Sequence, residues 1–134
     1  MNSFSLKIVT PDGLFYDGSA EELIVRTTTG DFGLLAGHMN CVAPLGMGRA
    51  TVVIGGEKHY AACIGGMVSM MDGQVTLVPT TFEWADTIDV VRAEKSEQRA
   101  NMILKDKNAS DTEICLAEAR LKRALVRKSV ANFK

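Results

Sequence analysis

The chain has only three cysteines in 134 residues, Cys41, Cys63 and Cys115. An odd, widely spaced set argues against a disulfide framework or a cysteine-rich zinc site, and it fits a reducing, cytoplasmic setting. No apolar run approaches the roughly 20 residues that cross a bilayer. The opening Met1-Asn2-Ser3-Phe4 lacks the basic flank and apolar core of a secretory leader, so none is expected. Histidine is scarce as well. His38 and His59 stand apart, with no serine or cysteine placed for nucleophilic chemistry and no metal-ligand spacing. P-loop and dinucleotide glycine patterns are missing, and the glycines from Gly30 to Gly37 have the spacing of turns. Aromatic residues make up 6 % and none is interleaved with the basic ones, so a nucleic-acid partner is not expected.

What remains is ordinary globular material, 46 % hydrophobic and 23 % charged, enough for one domain or a small domain with an appendage. The net charge of −1 hides an asymmetry. Residues 1–83 carry four basic and eight acidic side chains, a balance of −4, whereas residues 84–134 carry eleven and eight, a balance of +3. The tail, not the body, suits an anionic partner.

The first 84 residues read as an all-β unit. Phe4, Leu6 and Ile8 alternate with polar neighbours, the period-2 pattern of a half-buried strand. Thr10-Pro11-Asp12-Gly13 and Asp17-Gly18 are read as turns. Glu22 to Thr27 forms a strand with Leu23 and Val25 on one face, and Thr28 to Gly33 a glycine-bearing hairpin. Ala36 to Asn40 is a tight loop. Short strands follow at 41–43, 48–54, 58–64, 67–71 and 74–78, with Gly55-Gly56-Glu57 and Asp72-Gly73 as hairpin turns. Gly65-Gly66 marks a bulge or a close backbone approach. Many short strands without intervening helices predict a β-sandwich or flattened barrel.

Residues 85–134 change period. Asp86 or Thr87 is expected to cap a helix to about Lys105, with Ile88, Val91, Ala100, Ile103 and Leu104 as its apolar face. Ser110-Asp111-Thr112-Glu113 is a capping box, opening a second helix to about Ala131 with Ile114, Ala117, Leu121, Ala124 and Leu125 as its stripe. The predicted fold is thus α+β: an N-terminal sandwich, 1–84, then an antiparallel two-helix hairpin, 85–134. Its thin, alanine-rich stripes bury little, so the hairpin is expected to be marginally stable and able to move.

The joint, Glu83 to Ala93, holds the densest set of ligand-reading groups. Asp89 and Arg92 lie three apart on one helix face, and Arg99 lies two turns beyond Arg92. Arg120, Arg123 and Arg127 repel one another at helical spacing on the second helix, at about 0.2–0.5 kcal/mol per pair. Two readings stand side by side. The charges form a wet helix surface, or the folded hairpin brings Arg92, Arg99, Arg123 and Arg127 around a polyphosphate, with Glu83 and Asp89 accepting from a base's amino group.

Nearly the whole chain resembles the epsilon subunit family of the bacterial F-type ATP synthase. The resemblance rests on Val9-Thr10-Pro11-Asp12-Gly13, the run Thr29-Gly30-Asp31-Phe32-Gly33-Leu34-Leu35-Ala36-Gly37-His38, and Leu121-Lys122-Arg123-Ala124. Ala36 stands where the family commonly has proline, and Met67 where it often has an aromatic residue. The resemblance implies a non-catalytic rotor subunit at the cytoplasmic face of the membrane, peripheral and held there through the complex. Its sandwich would bind the gamma subunit and the ring of c subunits, with Asp31 and His38 in loops facing them. Its hairpin would fold down, or extend to block hydrolysis at the alpha and beta subunits, where Arg120, Lys122, Arg123, Arg127 and Lys128 would meet acidic surface. Ile88-Asp89-Val90-Val91-Arg92-Ala93 matches the motif by which some members bind ATP as a regulatory ligand. That implies nucleotide contacts from Glu83, Ile88, Asp89, Arg92, Ala93, Arg99, Arg123 and Arg127, and leaves magnesium open. The reading from outside this family is a free-standing β-sandwich binding module with a helical protein-interaction arm.

Overall fold

The computed structural model describes residues 2–133; Met1, part of the leader expectation, and Lys134 lie outside them. Ten strands come first: β1 (Phe4–Thr10), β2 (Gly13–Ala20), β3 (Glu22–Thr27), β4 (Gly30–Leu35), β5 (Cys41–Pro44), β6 (Met47–Ile54), β7 (Glu57–Ile64), β8 (Met67–Met71), β9 (Gln74–Val78) and β10 (Thr81–Trp84). A single 3₁₀ turn, Ala85–Thr87, leads to α1 (Val90–Lys105) and then α2 (Asp111–Ala131). The strands form two five-stranded sheets, ordered β2-β1-β9-β8-β5 and β10-β7-β6-β3-β4. β1 and β9 pair in parallel. Phe4, Leu6, Ile8, Leu23, Val25, Leu34, Val52, Val68, Met70, Val75 and Leu77 point between the sheets and are buried. Each such side chain contributes about 1.5–3 kcal/mol by leaving water. The expected sandwich and hairpin are both present.

Three local expectations need correction. Asp17-Gly18 is not a turn but lies inside β2, with Gly18 opposite Leu6 of β1. A Cβ there would come within 2.8 Å of the Tyr16 hydroxyl, so the glycine makes room for a ring instead of bending the chain. The hairpin expected over Thr28 to Gly33 turns within Thr28-Thr29 alone, where the Thr27 hydroxyl donates to the Gly30 carbonyl at 2.7 Å. Gly33 sits in β4, paired with Ile24. Finally, Thr81–Trp84, like β2, is a strand not expected from the sequence, and it places Glu83 opposite Ala62 of β7. The Gly65-Gly66 reading holds: a Cβ on Gly66 would collide with the Val78 carbonyl.

The hairpin lies on the outer face of the second sheet. Ala61 and Cys63 of β7 face the sandwich core. Ala62, between them, joins a small outer cluster with Ala85, Ile88, Val130 and Ala131. Alanine on the strand lets α2 come close. Beyond the end of α2, the Arg49 guanidinium lies 4.1 Å from the Phe133 ring centroid and 5.3 Å from that of Tyr60.

The helices meet through small side chains. Their buried residues are Ala93 and Ala100 on α1, and Ala117, Ala124, Val130 and Ala131 on α2. The expected stripes are only partly right. Ile88 precedes α1, while Val91 and Leu125 are 61 % and 46 % exposed. Alanine at the seam permits close approach of the backbones, which leaves larger side chains at the flanks or outside. The cap of α1 is Asp89, not Asp86 or Thr87. The capping box of α2 is as read: Ser110 Oγ accepts from the Glu113 N–H at 3.1 Å, and Glu113 Oε1 accepts from the Ser110 N–H at 3.3 Å.

Candidate functional site

The segment from Ile88 to Ala93 is first of all a helix start. Asp89 has extended backbone geometry, and its carboxylate accepts a hydrogen bond from the Arg92 N–H at 3.0 Å. An aspartate there satisfies a free amide and complements the positive end of the helix. Ile88 before the cap and Ala93 in the fourth helical position are both buried, the positions of a hydrophobic staple. Asp89 and Arg92 therefore do not form the side-chain pair that their spacing suggested, because Asp89 stands before the helix and bonds to backbone. Among the described residues the Arg92 guanidinium has no carboxylate partner within 4.0 Å.

The two antiparallel helices and the end of β10 enclose a cavity of about 290 Å³. Glu83, Asp89, Arg92, Ala93, Ser96, Arg120, Arg123 and Arg127 line it. Four guanidiniums thus face two carboxylates. Arg127 Nε donates to Glu83 Oε1 at 2.7 Å, tying α2 to the sandwich. The remaining ion pairs among the described residues are Arg26–Asp31 and Lys128–Glu97, so Arg92, Arg120 and Arg123 have no carboxylate within salt-bridge distance. Three uncompensated guanidiniums around one cavity repel one another, and a polyanion between them would remove that cost.

Of the residues expected to contact nucleotide, the fold gathers Glu83, Asp89, Arg92, Ala93, Arg123 and Arg127 around this cavity. It does not gather Arg99 or Ile88. The seven-residue step keeps Arg99 near the face of Arg92, but the α1 lining stops at Ser96 and Arg99 is exposed. Ile88 is buried in the cluster beneath the helix start. Two lining residues were not among the expected nucleotide contacts: Ser96, and Arg120, which was expected to meet a partner subunit. Ser96 lies four residues after Arg92 and Arg120 three before Arg123, so helical spacing alone could have named both.

The other expected contact residues are spread over the surface. Asp31 lies on β4, not in a loop, and accepts from Arg26 Nε at 2.7 Å as its cross-strand partner. His38 is in the β4–β5 loop, where Nδ1 donates to the Met39 carbonyl at 2.8 Å and the ring meets Phe32 edge-on. Lys122 is exposed. Lys128 Nζ donates to Glu97 Oε2 at 2.7 Å, a bond that raises the lysine pKa above its ordinary value. All three cysteines are free, and burial pushes the Cys63 thiol up to about 12, so it is an inert core residue.

Comparison with known proteins covers the same ground from outside. Residues 3–85 match the family model described as ATP synthase, delta/epsilon chain, beta-sandwich domain. Residues 86–132 match the one described as ATP synthase, delta/epsilon chain, long alpha-helix domain. The ATP synthase epsilon chain of Ruminococcus albus is 43 % identical over 135 residues, covering all of both chains. That of Bacillus cytotoxicus is 38 % identical over 134 residues, again covering both completely. Among solved structures, a chain of the Euglena gracilis mitochondrial ATP synthase, in an OSCP/F1/c-ring assembly, superposes with a TM-score of 0.83 at 21 % identity. That match spans 98 % of this chain and 82 % of the other, and at such identity it speaks for the fold alone.

Proposed function

Given that this chain belongs to the delta/epsilon chain family of ATP synthases, and is related over its full length to bacterial epsilon chains, we propose that it is a regulatory, non-catalytic subunit of the central stalk. The sandwich binds the gamma subunit and rests on the c-ring, through a surface that includes the β4 edge with Asp31 and the loop with His38. Association with an F1/c-ring assembly is that of the Euglena gracilis neighbour. No helix among the described residues is long and apolar enough to cross a membrane. In this reading the chain is held at the cytoplasmic face through the complex.

The hairpin is the switch. Closed on the sandwich, it holds ATP between α1 and α2. Open, it extends toward the alpha and beta subunits, presents Arg120, Lys122 and Lys128, and stops hydrolysis. The observation that carries this reading is the convergence of Arg92, Arg120 and Arg123, none with a carboxylate partner, on a single cavity. A ligand that binds only the closed form stabilises it by about 2.7 kcal/mol at 100 times its dissociation constant. That is comparable with what a thin alanine seam contributes, so ligand concentration sets the population.

Calorimetric titration of the chain with ATP and with GTP tests the site. ATP is expected to bind, and Arg92→Ala to weaken it at least tenfold, the loss of one charged hydrogen-bonding group. Equal affinity in the variant and the parent chain would remove Arg92 from the site. Hydrolysis by the reconstituted ATPase should then show stronger inhibition with Arg92→Ala than with the parent chain at high ATP.

A further inference from the structure

We infer that Arg120 is the residue that distinguishes a nucleoside triphosphate from a diphosphate, an assignment that rests on the nucleotide reading above. The cavity has a direction. α1 leads away from the sandwich and α2 returns to it, so low-numbered residues of α1 and high-numbered residues of α2 lie at the sandwich end. Glu83, Asp89 and the Glu83-bound Arg127 occupy that end. Arg123 follows, and Arg120 is the lining arginine of α2 farthest from the sandwich, with Ser96 as the farthest lining residue of α1. Seven residues of helix separate Arg127 from Arg120, about 10 Å along the axis.

A nucleotide has one end that donates hydrogen bonds and one that carries negative charge. At the sandwich end Glu83, paired with Arg127, and Asp89, the cap of α1, keep acceptor oxygens that suit an exocyclic amino group. The phosphate chain therefore runs outward along the arginine row, and each additional phosphate reaches one step farther. Arg127 already spends its Nε on Glu83. Arg120 has no carboxylate partner, is exposed and is the last guanidinium in the row, so it meets the terminal phosphate of a triphosphate and has nothing to meet on a diphosphate.

Titrating the full chain and its Arg120→Ala and Lys122→Ala variants with ATP and ADP tests the assignment. Both side chains are exposed on a formed helix, and alanine favours helix. Arg120→Ala is expected to weaken ATP about tenfold while moving ADP less than about twofold, so that the ATP/ADP preference collapses. Lys122→Ala removes the same charge two residues away, outside the cavity, and is expected to leave both affinities within about twofold. Equal losses for ATP and ADP in Arg120→Ala, an unchanged preference, or the same losses in Lys122→Ala would overturn the role of Arg120 while leaving the site in place. Absence of nucleotide binding by the parent chain would overturn the site and this assignment together.

Discussion

The two halves of the molecule are held by different physics. Between the sheets, Leu6, Ile8, Leu23, Leu34, Met70 and Leu77 are all fully buried. Between the helices, the fully shielded seam is alanine: Ala93, Ala100, Ala117 and Ala124. A leucine removed from water contributes several times what an alanine does, because the hydrophobic term follows area. The hairpin relies instead on the small cluster around Ala62, Ile88 and Val130, on caps, on the ion pairs Arg127–Glu83 and Lys128–Glu97, and on the contact of Arg49 with Phe133. Burial makes the sandwich a fixed platform. A small apolar contact and polar fastenings hold the hairpin, which is the footing that the proposed switch needs.

This contrast can be broken at several points. Leu23→Ala in the middle of β3 should cost about 2–5 kcal/mol, lowering the denaturation midpoint of the whole chain by circular dichroism. A loss below 1 kcal/mol would mean that the sandwich is not the dominant core. Ala124→Leu should act in the opposite half: overpacking the seam is expected to cost about 1–3 kcal/mol. Amide exchange would then quicken in α1 and α2 but stay unchanged in β1, β6 and β9. Uniform acceleration across both halves would show the two to be one cooperative unit. Removing the capping box with Ser110→Ala should cost about 1 kcal/mol, and the change should be confined to α2 helicity and to exchange in its first turn.

The smallest effect comes from pH. The hydrogen bond from Lys128 to Glu97, reinforced by the charges of Glu97 and Glu94, raises the lysine pKa. Its contribution is therefore fully present below the ordinary lysine value and is lost as pH rises through the raised one. Exchange at the α1–α2 seam should quicken in that alkaline window, and Lys128→Met should abolish the extra alkaline sensitivity. Persistence of the same sensitivity in the variant would assign it to another group.

Local pattern made much of this legible. Alternation in Phe4-Ser5-Leu6-Lys7-Ile8 fixed which side chains face inward, since a strand has only two faces. Ser110 and Glu113 declared the second helix start because a cap needs only residues three apart. Glycine was harder to read: Gly18 serves the Tyr16 ring and Gly33 sits within a strand, so a turn residue in sequence was a space-maker in the fold. Thr81–Trp84 alternates polar and apolar side chains, but its second half, Glu83-Trp84, reads as the joint to the helices. Its pairing with β7 supplied the missing signal.

The amino-acid order alone therefore determined the sandwich-then-hairpin plan, the alanine-rich helix stripes and the basic tail. These follow from periodicity, composition and short-range hydrogen bonding. Only the tertiary structure decided which charges share a space. Arg120 entered the cavity and Arg99 did not. Glu83 found Arg127 across 44 positions of sequence. The reason is that the axial register between two helices is set by how their small side chains nest, and that nesting leaves no mark in either helix read by itself.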